Sequence, residues 1–185
     1  MKGFTLIELV LSVLLGVMII ILLVPLIINS HERAQMNDLA SRARSIHIAL
    51  FGIHDFVPMK ETEHQERFAK VSSSEFSTST DLFREMVSSG FLNTTYAFFS
   101  GMGVPACTSS NSANFTAENN AWCIVADLET ISDSETPILF TRNVNLNNIG
   151  PNGRATLTDD RPMGKKHWIF ATKSGATLVV DGNAI

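Results

Sequence analysis

The feature that most restricts this chain is a run of twenty residues, 9–28, without a single charge. Leu, Val, Ile and Met fill it, and only Ser12, Gly16 and Pro25 interrupt them. As a helix rising about 1.5 Å per residue, the run would span about 30 Å, the thickness of a bilayer's hydrocarbon core. A secretory signal peptide would carry a basic start, a shorter apolar core and a small-residue cleavage site after that core. Here Asn29-Ser30-His31-Glu32-Arg33 follows, and helical patterning resumes beyond it. The segment is therefore expected to stay with the mature protein.

Past this run the chain turns polar, rich in Ser, Thr and Asn. Its 185 residues leave room for one globular domain besides the apolar segment. A formal net charge of −4, from 14 Lys+Arg against 18 Asp+Glu, argues against a general nucleic-acid binder. Met36, Leu39, Ala43, Ile46, Leu50 and Ile53 recur at spacings of three and four, which predicts an amphipathic continuation with Asp38, Arg42 and Arg44 largely off the stripe. One helix over residues 4–53, transmembrane at about 9–28, would run roughly 75 Å. Gly52 and the Pro58 region mark its end, and Gly16 and Pro25 are its weak points, since an interior proline removes a hydrogen bond.

The remaining residues, 54–185, read as a globular domain. Residues 60–79 form a connection, and 81–87 a short helix closed by Gly90, with Phe83 and Val87 on one face. Residues 101–118 are rich in turns. Strand patterns follow at 122–128, where Trp122, Ile124, Ala126 and Leu128 alternate, and at 138–144. Two more, 168–172 and 177–181, flank the hairpin turn Lys173-Ser174-Gly175, while 145–163 reads as a long loop. The fold class is thus α+β: a long N-terminal helix packed on an antiparallel sheet of about four strands. Cys107 and Cys123 lie in the part that an apolar export segment would carry out of the cytoplasm. They are expected to form a disulfide, pinning the connecting region to the first strand and contributing about 3 kcal/mol.

Glu8 stands at the mouth of the apolar run, between Ile7 and Leu9. A carboxylate at bilayer depth is costly and is a functional candidate by default; the plainer reading is an interfacial acid reaching for headgroups. Its context is Gly3-Phe4-Thr5-Leu6-Ile7-Glu8-Leu9-Val10. This resembles the prepilin cleavage and methylation motif of the type IV pilin superfamily, which includes the pseudopilins of type II secretion systems. The likeness covers about the first 30 residues.

The resemblance implies a pilin-like fold and no catalytic activity. Residues 1–3 would be a leader, removed by a prepilin peptidase that cuts between Gly3 and Phe4 and methylates the new amine of Phe4. The subunit would sit in the inner membrane with its N-terminus cytoplasmic. Assembly platform proteins would then pass it into a homo- or hetero-polymer, an extracellular pilus or a periplasmic pseudopilus. Glu8 would neutralise the Phe4 amine of a neighbouring subunit. Two unit charges at about 4 Å attract by about 4 kcal/mol at an effective dielectric near 20, before desolvation is subtracted, so such a pair sets register more than stability. Within the chain, Lys2 would be lost with the leader, and Arg33 lies roughly 37 Å along the helix. Lys2 alone precedes the run while His31, Arg33, Arg42 and Arg44 follow, so positive-inside counting points to the opposite orientation. The motif is the more specific signal, because processing needs a cytoplasmic N-terminus.

Other chemistry is thinly supported by the residues. His47, His54 and His64 lack the close pairing that catalytic zinc uses, and no Gly-x-Ser-x-Gly elbow is present. Asp159 and Asp160 could offer oxygens to calcium, the one cofactor candidate. Arg154, Arg161, Lys165, Lys166 and His167 form a basic cluster. The alternative function is a minor tip subunit acting as a binding module for DNA or secreted cargo. No small-molecule substrate is expected.

Overall fold

A computed structural model describes residues 5–51, 76–126, 133–146 and 154–182. The chain forms two compact units, Met1–Asn37 and Asp38–Ile185. Helix α1 comprises Leu6–Phe51 and includes Gly16 and Pro25. Its described bounds agree with the expected helix; Gly52, Ile53 and Pro58 lie outside the described residues.

In the second unit the end of α1 carries Leu39, Ala43, Ile46 and Leu50, all buried, as the three–four spacing demands. Each such side chain taken out of water contributes about 1.5–3 kcal/mol for the larger aliphatics. Arg42, expected off the stripe, instead lies at its edge and is only partly exposed. One of its nitrogens donates to the carbonyls of Phe98 and Ser100, each at 2.9 Å, and the guanidinium also pairs with Asp38 at 2.7 Å. A long side chain can bury its stem and still spend its charged head on backbone acceptors, a use that a hydrophobic pattern does not reveal.

Helix α2, Ser79–Ser88, is started by Thr78, whose hydroxyl accepts from the Asp81 N–H. The hydroxyls of Thr78 and Ser77, with Arg84, hold the Asp81 carboxyl below its usual range. A depressed carboxyl stabilises above its unfolded pKa, so this contribution is present at neutral pH and lost as pH falls through the lowered value. The buried face of α2 is Leu82, Phe83 and Met86; Val87, expected beside Phe83, is only half-buried. Phe83 stacks on Phe99 at 4.7 Å, and Phe99 meets Phe115 at 5.5 Å, so α2 shares an aromatic core with the 3₁₀ turn Tyr96–Phe99.

A four-stranded antiparallel sheet has the order β1-β2-β5-β6, from β1 Trp122–Ile124, β2 Pro137–Thr141, β5 His167–Thr172 and β6 Thr177–Asp181. In β2 the consecutive residues Ile138, Leu139 and Phe140 are all buried, as a strand covered on both faces requires. Three strand expectations are corrected. β1 stops at Ile124, and Val125 rather than Ala126 is buried, because the alternation loses phase where the ladder ends. The pattern at 138–144 is two strands: Arg142 and Asn143 turn the chain, and Val144 begins a further strand. The expected loop at 145–163 holds most of a separate two-stranded sheet, β3 Val144–Leu146 with β4 Ala155–Leu157. Asn143 organises that turn, its buried amide donating to the carbonyls of Gly164 and His167.

The β5–β6 hairpin follows the expected turn. Gly175 has φ +90°, a conformation open to glycine at no steric cost, and a Cβ there would stand 2.9 Å from the His47 ring. His47 in turn lies 3.2 Å from the Lys173 carbonyl. Gly175→Ala is therefore expected to cost about 1–3 kcal/mol, read as a lowered midpoint in thermal unfolding of the full chain in detergent. Unchanged stability would mean that neither the turn nor the histidine constrains this position.

Candidate functional site

The candidate site is the first unit's helical segment and its N-terminal turn. From Leu6 to Ile28 the large apolar side chains are exposed, Leu14 by 62% and Ile21 by 66%, for instance. In water such a surface would be unstable by tens of kcal/mol at roughly 25 cal/mol per Å². The segment is long and apolar enough to cross a membrane. A Cβ added at Gly16 would meet nothing within 4 Å, so the unit's own packing does not call for a glycine there. Ser12 and Ser30 return their hydroxyls to the carbonyls of Leu9 and Ile27, which settles their donors inside the helix.

At the head of this segment Glu8 has a partner that its sequence setting did not disclose. The Thr5 N–H donates to one Glu8 carboxylate oxygen at 2.9 Å, and the Thr5 hydroxyl donates to the same oxygen at 2.8 Å. Thr5-Leu6-Ile7-Glu8 is thus one half of a capping box, with the N3 acid reaching back to the N-cap amide. The signal was readable: a Thr followed three residues later by Glu, just before an apolar run, marks a helix start. A negative group in the first turn also faces the favourable end of the helix dipole. The expectation that Glu8 finds no partner within its own chain is corrected accordingly. Gly3 and Phe4 lie outside the described residues.

The other singled-out residues do not converge. Cys107 and Cys123 are free thiols, so the expected bridge is not formed. Cys107 is buried beside the Ser109 carbonyl, whereas Cys123 sits in β1 next to the first turn of α2. Burial pushes the Cys123 thiol up, with Arg142 opposing, which keeps it protonated and poorly nucleophilic at neutral pH. Asp159 pairs with Lys165 at 2.9 Å, and Asp160 accepts from the Thr158 hydroxyl at 2.8 Å. Among the described residues no group of three or more His, Cys, Asp or Glu is placed to hold a metal. The basic cluster is partly committed too: Arg161 donates to the Gly103 carbonyl, and His167 begins β5. His54 and His64 lie outside the described residues.

No protein-family model, curated protein or solved structure matches the chain.

Proposed function

We propose that this chain is a structural filament subunit of the type IV pilin kind, a pilin or a secretion-system pseudopilin. The observation that carries the reading is the exposed apolar length of α1, headed by the acid Glu8 and continuous with a stripe that is buried in a separate α+β unit. A helix of that character needs either lipid or other apolar helices around it, and a filament subunit uses both in turn. Before assembly the segment spans the inner membrane with its N-terminus cytoplasmic. A prepilin peptidase cuts between Gly3 and Phe4 and methylates Phe4. Assembly then exchanges lipid for neighbouring helices, with apolar surface buried at each stage.

Glu8 serves twice on this reading. In the single subunit it caps its own helix through Thr5. In the fibre its second carboxylate oxygen offers an acceptor to the Phe4 amine of the next subunit, which forms an ion pair only at one axial offset. Intact-mass analysis of membrane-derived protein tests the processing step. The expected result is loss of Met1, Lys2 and Gly3 plus about 14 Da for one methyl group. Recovering Met1 at the N-terminus, or a cut after Asn29, would refute the filament reading. Gly3 replaced by a bulky residue should leave uncut precursor.

A further inference from the structure

Between the first turn of α2 and strand β1 lies a cavity of about 440 Å³, bounded also by Arg142 in the turn after β2. Among the described residues lining it, Arg142 is the only charged one. Its guanidinium is fixed in place: Nε donates to the Arg161 carbonyl at 3.0 Å, and Nη1 to the carbonyls of Ala117 and Asn120 at 2.6 and 3.2 Å. Neutral carbonyls orient the group without cancelling its charge. No acid pairs with it among the described residues, and its Nη2 hydrogens have no acceptor there.

The rest of the wall repeats this imbalance. The Ser79 hydroxyl accepts from the Ile124 N–H, and the Thr80 hydroxyl accepts from the Asn120 amide, which leaves each hydroxyl with a hydrogen to give. Among the described residues the cavity thus presents several donors and one positive charge without an acid partner, so its complement is a single negative group with several lone pairs. Phe76 and Ile124, both half-buried, supply an apolar wall. The volume falls within the usual range for small-ligand sites, roughly 300–1,000 Å³.

We propose that this cavity binds a small apolar monocarboxylate, a carboxylate oxygen received by Arg142 Nη2 and its body lying against Phe76 and Ile124. The carboxylate replaces solvent at Nη2, whose hydrogens are the ones the backbone carbonyls leave free, in a charge-assisted hydrogen bond. The site is independent of α1's apolar segment and does not rest on filament assembly.

The test is calorimetric and NMR titration of the full chain in detergent micelles with N-acetyl-leucine, its uncharged amide, acetate and inorganic phosphate. N-acetyl-leucine should bind saturably, shifting the amide signals of Ser79 and Thr80, and should bind at least about tenfold more tightly than the amide or acetate. Arg142→Gln should abolish binding, but it also removes three carbonyl contacts. Ala126→Glu, at the exposed rim, keeps those contacts and should weaken binding about tenfold through repulsion alone. Equal binding of acid and amide would overturn the proposal, as would binding indifferent to Ala126→Glu. Phosphate binding as tightly as N-acetyl-leucine would overturn the assignment to a monocarboxylate.

Discussion

Cells carrying Glu8→Ala are expected to process the chain normally, fold its second unit normally, and make few or no filaments. The substitution removes the acceptor of two Thr5 hydrogen bonds in the first turn of α1. Loss of a helix cap costs about 0.5–2 kcal/mol, which frays one turn and does not unfold a domain. Unfolding of the second unit should therefore be unchanged, since Glu8 lies in the other unit. On the proposed filament reading the fibre would lose more, because each subunit would bury an amine with no opposing charge, and a buried unpaired charge is costlier than the pair was favourable. Glu8→Gln separates the two roles. Glutamine still accepts from the Thr5 amide, as capping boxes allow, but carries no charge. Filament counts by electron microscopy should fall as far with Gln as with Ala if the charge sets register. Recovery of filaments with Gln would reduce Glu8 to a cap, and wild-type numbers with Ala would end the intersubunit role altogether.

The elements written in long or strong periods were legible from sequence, and those written in short phrases were not. Twenty uncharged residues and a three–four stripe left one solution for α1, because both patterns outlast several turns. The β5–β6 hairpin was legible because Gly175 demands a special backbone and strong alternation flanks it. By contrast, β3 and β4 are three residues each, too brief for alternation to stand out from a polar stretch. Asn143 hid the division between β2 and β3, since its buried amide terminates the strand through carbonyls distant in sequence. The expected disulfide rested on cysteine count and compartment, and neither fixes where two side chains end up. At the candidate site, attention to the charge of Glu8 concealed its ordinary work as a helix cap. Arg42 and Arg142 were unreadable for a shared reason: each donates to backbone carbonyls distant in sequence, and carbonyls are present at every residue.

Phe99→Ala is expected to destabilise the second unit more than truncation of its neighbour Phe98. Phe99 is fully buried, stacked on Phe83 and close to Phe115, so it joins α2 to the turn-rich region before β1. Its position also fixes the backbone that receives α1: the carbonyls on either side, of Phe98 and Ser100, accept from Arg42, and Gly101 lies against the Leu39 side chain. Emptying that space forfeits transfer energy and leaves a cavity, typically about 3–5 kcal/mol for a buried aromatic. For a unit of this size each kcal/mol moves the unfolding midpoint by about 2–4 °C, giving a fall of roughly 6–20 °C. Phe98 is only half-buried and meets the Arg42 guanidinium 5.7 Å above its ring, a contact worth about 0.5–1 kcal/mol at an exposed site. Differential scanning calorimetry on the two variants in detergent should therefore rank Phe99→Ala far below Phe98→Ala. The reverse order would place the stabilising contact at the arginine and its carbonyls. In that case Arg42→Met, which keeps the stem and removes the donors, should reproduce the larger loss.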